Sequence, residues 1–224
     1  MASRILIVSA TELEIKPIFQ LNTNRISQNH FELVYSESLI VDILITGVGI
    51  AAMTYSLTRF LGKNEITFVV LVGISGSYGT NLKLGEVVNV TSERFADLGV
   101  IGSNSFADLF EMNLEKGNVF PFENGKLRNY TLINNKTISV LKNVAANTVN
   151  TIRQEILPYI QKDSEIESME GAAFFYVCLQ EKVPFIQIRA ISNYVGEQNK
   201  SNWDIDLAIS NLNAIILELL SELK

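Results

Sequence analysis

Residues 65–74, EITFVVLVGI, constrain this chain more than any other stretch. The run is too short to cross a bilayer, and it carries Thr67 and Gly73. Its lack of alternation means that both faces need cover, as in a central strand of a sheet flanked on two sides. RILIVSA (4–10) and VPFIQIRAIS (183–192) are further apolar strand signals, and 31–47 reads as a strand pair with VDILI the more buried. Between them lie helical patterns: TELEIKPIFQ (11–20), opened by the capping-box pair Thr11 and Glu14, GIAAMTYSLTRFLG (49–62), stopped by Gly62, and EGAAFFYVCLQEK (170–182). A long amphipathic helix closes the chain over 201–224.

The remaining segments are weaker. LGEVVNVTSERFADLG (84–99) reads as a strand running into a loop, and 136–149 as a strand with a preceding turn. A helix is expected over 150–160 and a short strand over 164–169. Residues 100–135 carry little beyond turn signals (SNS, EKGN, ENGK). Strands alternating with helices predict an α/β architecture, a largely parallel sheet with helices on both faces. The extra strands near 31–47 and 85–93 make that sheet mixed.

The chain has 224 residues without repeats, low-complexity tracts or a Pro/Ser linker, so a single domain over 1–224 is expected. Its N-terminus lacks the long apolar stretch and cleavage site of a signal peptide, and no apolar run is long enough for a membrane span. The expected location is the cytoplasm. Lys and Arg number 18 against 24 Asp and Glu, a net charge of −6, and no two basic residues are adjacent. That distribution argues against a nucleic-acid partner, which would need a basic stripe to neutralise phosphates. One cysteine, Cys178, and one histidine, His30, leave no disulfide and argue against a metal site. Any catalysis must rest on carboxylates, amides, hydroxyls and backbone dipoles.

Ligands of open α/β sheets gather where strands end. Here SATELE presents Glu12 and Glu14, the central run ends in G-I-S-G-S (73–77), SEIESM leads into Met169-Glu170-Gly171, and FIQIRAI ends at Ser192-Asn193. Each alone has a structural explanation. Glu14 is a good capping residue, GISGS a plausible tight turn, and Glu170 complements a helix dipole. TGVGIAA (46–52) lacks the third glycine of a dinucleotide fingerprint, and no P-loop is present. Phe174, Phe175 and Cys178 read as core. Together, at four strand ends, the polar residues outline a site.

SATELE, TGVGIAA, GISGS followed by LKLGEVV, SMEGAA with a downstream VPFIQIRAISN, and the final helix resemble the purine nucleoside phosphorylase/hydrolase superfamily, in order along almost the whole chain and least over 100–135. Within it, ERFADLG, the FPF at 120–122, SMEGAAFF, and AISNYVG followed by Trp203 are more similar to futalosine hydrolases than to methylthioadenosine/S-adenosylhomocysteine nucleosidases. The resemblance implies a nucleoside-phosphorylase-type α/β domain whose central mixed sheet is partly closed and flanked by helices. It implies hydrolysis of an N-ribosidic bond, releasing hypoxanthine from futalosine in a route to menaquinone. The partner is then a small-molecule nucleoside, with no cofactor, no metal and no membrane, and the chain a homo-oligomer.

It also implies residue roles. Glu14 activates water, Glu170 accepts from the ribose hydroxyls, and Asn193 holds the leaving base. Thr11, Gly73, Ile74, Ser75, Gly76, Thr148, Val149, Ser168, Met169, Ser192 and Trp203 line the substrate pocket, with the purine-stacking residue near 146–149 and a further wall from Ala96 to Gly99. Carboxylates suit a reaction through an oxocarbenium-like state. Asn193 departs from the nucleosidases, which carry Asp there. An amide offers two N–H donors, which fit N7 and O6 of a 6-oxopurine, although Asn also pairs with the N6/N7 edge of adenine. Ser168 stands where nucleosidases have the first Glu of E-M-E, and Glu167, one place earlier, is given no role. The alternatives are a methylthioadenosine nucleosidase, a phosphorylase, which would need an arginine clamp for phosphate, and a non-catalytic nucleoside-binding module, which would have no use for Glu14.

Overall fold

Strand β1 (Ser3–Ser9) is buried from Ile5 onward, and its side chains divide between two cores. Leu6 and Val8 join Leu57, Phe60, Phe174 and Phe175 on one face, while Ile5 and Ile7 join Ile15, Leu212 and Ile216 on the other. The sheet neighbours repeat this division. This computed structural model describes residues 3–21, 23–102, 105–151, 157–161, 163–197 and 199–223.

The strands after β1 are β2 (Asn24–Arg25), β3 (His30–Val34), β4 (Leu39–Ile45), β5 (Phe68–Ser77), β6 (Val87–Phe95), β7 (Gly99–Ile101), β8 (Phe106–Asp108), β9 (Phe122–Glu123), β10 (Lys126–Arg128), β11 (Lys142–Thr148), β12 (Ile166–Ser168) and β13 (Phe185–Tyr194). The main sheet runs β2-β3-β4-β1-β5-β12-β11-β6-β10-β9, and β7 and β8 form a separate hairpin. β13 pairs parallel with β5 and antiparallel with β6. The strands β5, β12, β11, β6 and β13 therefore close on one another, while β1 to β4 extend as an open arm. The sheet is mixed and partly closed, flanked by helices. Parallel and antiparallel pairs coexist because β5 turns from the arm into the closed part. Its first half pairs with β1, and its end pairs with β12 in the opposite sense.

The helices are α1 (Ile50–Leu61), α2 (Lys136–Ser139), α3 (Leu157–Ile160), α4 (Gly171–Glu181) and α5 (Ile205–Glu222). α1 and α4 pack together on one face, and α5 covers β13 and β5 on the other. α5 starts where the Asp204 carboxylate accepts from Leu207 N–H at 3.1 Å. At the arm, the buried Asp42 carboxylate is satisfied by Arg4 and His30 from neighbouring strands. None of the helices among the described residues is long and apolar enough to cross a membrane.

Several expectations need correction. GISGS is part of β5, which continues to Ser77, because β12 and β13 supply hydrogen-bond partners that no local pattern encodes. Residues 13–20 form a 3-10 segment with Ile15 off helical geometry, since Pro17 removes an N–H and crowds the preceding turn. Ahead of β11 stands α2, capped by Asn135, rather than a turn. The uninformative 100–135 holds the short strands β7 to β10. Of the helix expected over 150–160, residues 152–156 lie outside the described residues, and 157–160 are helical.

Leu71, fully buried in β5, tests how far the sheet depends on this packing. Leu71→Ala is expected to lower unfolding free energy by about 2–5 kcal/mol in urea titrations.

Candidate active site

A cavity of about 300 Å³ opens where β1, β5, β12 and β13 end, roughly the size of a small-molecule pocket. Glu14 reaches it from the 3-10 segment after β1 and is 7% exposed. Its Oε2 accepts from Ser9 Oγ at 3.1 Å, Thr11 N–H at 3.0 Å and Thr11 Oγ1 at 2.9 Å. Its Oε1 accepts from Ile74 N–H alone among the described residues, at 3.1 Å. The capping pair read from T-x-x-E thus fixes one end of the carboxylate and leaves the other free to accept.

Glu170 stands at the N-cap of α4, its Oε1 accepting from Gly49 N–H at 3.0 Å. Gly49, at φ +94°, turns TGVGIAA so that the start of α1 faces this carboxylate. On its other side, Glu170 Oε2 lies 3.6 Å from Arg189 Nη2. Arg189, on β13 and 1% exposed, also donates from Nη1 to Ile74 O at 3.3 Å. A side chain on Gly73 would fall 2.3 Å from Arg189 Nη1 and 2.8 Å from Glu14 Oε1, so this glycine makes room for the two groups to converge.

Asn193 sits at a bulge in β13, where Ser192 Oγ donates to its Oδ1 at 2.8 Å. The amide nitrogen lies over Gly76, 3.1 Å from where a Cβ would stand. On the far side of Gly76, Glu167 of β12 also lines the cavity. Its Oε2 accepts from Tyr78 O–H at 2.8 Å, and the Tyr78 oxygen accepts from Asn147 Nδ2 at 2.9 Å. Burial pushes the Glu167 carboxyl above the usual range, with Tyr78 pulling the other way and Asp97 adding to the rise.

Of the other residues expected at the site, Thr11, Ile74, Ser75, Gly76, Val149, Ser168, Met169, Ser192 and Trp203 line the cavity. Thr148 does not. Its hydroxyl faces the interior, donating to Glu93 Oε2 at 2.9 Å and accepting from Ala172 N–H at 2.6 Å. Gly73 contributes space behind the wall, and Ala96 to Gly99 stay outside it, with Asp97 accepting from Asn150 and Thr151. Leu13, Val48, Ile205 and Ile209 add apolar wall that was not among the expected lining residues. Arg189 and Glu167 were also missed, although a charged residue inside an apolar strand was a usable signal for the first. Cys178 is buried, its thiol pushed well up by burial. Among the described residues, no group of His, Cys, Asp and Glu is placed to hold a metal ion.

Comparison with known proteins places this arrangement. The Phosphorylase superfamily profile matches residues 145–221. A futalosine hydrolase from Thermus thermophilus is 30% identical over 183 residues, covering 80% of each chain. The structure superposes with a TM-score of 0.78 on the 5′-methylthioadenosine/S-adenosylhomocysteine nucleosidase of Colwellia psychrerythraea in complex with adenine, at 19% identity over 100% of this chain and 97% of that one. It superposes equally, at 0.78, on futalosine hydrolase of Helicobacter pylori, at 17% identity over 99% of both. The chain belongs to the phosphorylase superfamily. Within that class it is a hydrolase, a nucleosidase acting on N-ribosidic bonds.

Under the site, Glu93 is fully buried, held by Gln187 Nε2 at 2.8 Å and by Thr148, and burial pushes it up to about 7. The folded protein thus binds this proton more tightly than the unfolded chain. The stability it contributes is complete below its ordinary value of 4.5 and is lost as pH rises through about 7. The loss should be about 3 kcal/mol. Glu93→Gln is expected to flatten that slope in urea titrations between pH 4.5 and 7.

Proposed function

We propose that the protein hydrolyses the N-ribosidic bond of futalosine, releasing hypoxanthine and dehypoxanthine futalosine, in a route to menaquinone. The observation that carries this reading is the Asn193 amide, oriented by Ser192 with its nitrogen over Gly76. Its Nδ2 donates to Tyr194 O at 3.3 Å, and its remaining N–H suits N7 or O6 of a 6-oxopurine, where negative charge grows as the bond to ribose breaks. Glu14 acts as general base. Three donors hold Oε2, so the free lone pair of Oε1 takes the proton of the attacking water. Glu170 accepts from the ribose hydroxyls, and its charge favours the cationic ribosyl of the transition state. Among the described residues no arginine lines the cavity, so none is placed to clamp a phosphate. This favours water over phosphate as the acceptor.

One observation favours a second reading, cleavage of methylthioadenosine. Leu13, Val48, Ile205 and Ile209 make an apolar wall that an alkylthio arm would also fit. Incubation with futalosine, methylthioadenosine and inosine, with and without phosphate, separates the readings. The expected result is hypoxanthine released from futalosine at a rate independent of phosphate. Faster release of adenine from methylthioadenosine would establish the second reading instead. Glu14→Gln is expected to reduce kcat by roughly 10²–10⁴ with KM little changed. An unaltered kcat would remove Glu14 from the chemistry.

A further inference from the structure

A general base works only if the main chain that carries it is held still, and around Glu14 the local sequence withholds one donor. In a 3-10 turn the N–H of residue i+3 donates to the carbonyl of residue i, so Glu14 O would look to residue 17. That residue is Pro17, which has no N–H to give. The segment also departs from helical geometry at Ile15, with φ −122° and ψ 18°, directly after the residue that bears the carboxylate.

A donor comes from the other end of the chain. Asn213 on α5, 199 positions away, donates from Nδ2 to Glu14 O at 2.8 Å, and also to Ile209 O at 2.7 Å. Both partners are carbonyl oxygens, which fixes the amide with its NH₂ toward them. Asn213 is 2% exposed, on the buried face of α5 whose Ala208, Leu212 and Ile216 share a core with Ile15 and Ile18. Its Oδ1 has no hydrogen-bond partner among the described residues. An apolar side chain would avoid that unpaired oxygen, so packing alone gives no reason for an amide here. What the amide supplies is donors, and one of them goes to the residue that carries the base.

We propose that Asn213 is a positioning residue for the hydrolytic step: by giving Glu14 O the hydrogen bond that Pro17 cannot, it holds the Glu14 carboxylate at the attacking water. This rests on Glu14 as general base and holds whichever nucleoside is cleaved. Asn213 lies outside the cavity wall. Ser9, Thr11 and Ile74 aim the carboxylate at its far end, and Asn213 anchors the main chain from which it projects. Its loss should therefore slow the chemical step and leave substrate binding alone, since a misplacement of about 1 Å from a remote substitution can cost roughly 10²-fold in rate.

Steady-state kinetics with the fastest substrate among futalosine, methylthioadenosine and inosine tests this. Asn213→Leu, close in size but without donors, should lower kcat roughly 10- to 10²-fold with KM within about threefold of wild type. Asn213→Ala, which a helix accepts readily, should do the same even if the leucine variant folds poorly. Adding Pro17→Ala to Asn213→Leu returns an N–H at residue 17 and should recover at least about threefold in kcat. In a Glu14→Gln background, where the base is gone, Asn213→Leu should change kcat by no more than about twofold. A merely structural role would carry the full loss into that background. Such a result would overturn the proposal, and so would an unaltered kcat in the Asn213 variants or no recovery with Pro17→Ala. If Glu14→Gln lowers kcat and the Asn213 variants do not, the function stands and Asn213 alone falls. If Glu14→Gln leaves kcat unaltered, Glu14 drops out of the chemistry and takes Asn213 with it.

Discussion

The Arg189 guanidinium lies where a side chain on Gly73 would be, almost without exposure, and a charge so buried persists only with an anion beside it. Glu170 is that anion, at 3.6 Å, and Glu14 closes the niche from β1. The rest of the site follows from this clustering. The bare Cα on β5 admits the cation, the cation steadies the carboxylate at the start of α4, and Gly49 brings the end of a second helix onto the same carboxylate. Breaking such a pair leaves a stranded charge, typically a loss of 3–5 kcal/mol, so the geometry is held by the fold's stability as well as by local contacts.

Much of this was legible along the chain. Apolar runs without alternation announced strands covered on both faces, and the two cores that split Leu6 and Val8 from Ile5 and Ile7 are their physical counterpart. Glu14, Glu170 and Asn193 stood out because they fall together at the ends of separate strands, where ligands of such sheets gather. What remained hidden depends on pairing between distant segments. GISGS looked like a turn because its partners on β12 and β13 lie about a hundred residues further on. Arg189 was overlooked because its position inside an apolar strand gives no hint that Gly73 makes room for it. Glu167 went unassigned because its place in the cavity wall comes from the pairing of β12 with β5.

The fold leaves the substrate open, since the same backbone superposes equally well on a nucleosidase and on a futalosine hydrolase. Discrimination must therefore reside in the few side chains that meet the base and the arm. On the base side stands the Asn193 amide, carried by β13 in the closed part of the sheet. Strand-borne groups are held more firmly than loop-borne ones, and that rigidity lets a single N–H be told from a lone pair.

The two ends of the main sheet are β2 and β9, each of two residues, with Arg25 on one and Glu123 on the other. Long bare edges invite another chain to add a strand, whereas short charged ones offer little backbone to dock against. By curling β5, β12, β11, β6 and β13 into a closed group, the chain keeps the hydrogen-bonding groups of these strands internal. An apolar, strand-rich sequence of this kind would otherwise be at risk of aggregating edge to edge. The closure that builds the pocket also protects the protein from its own kind.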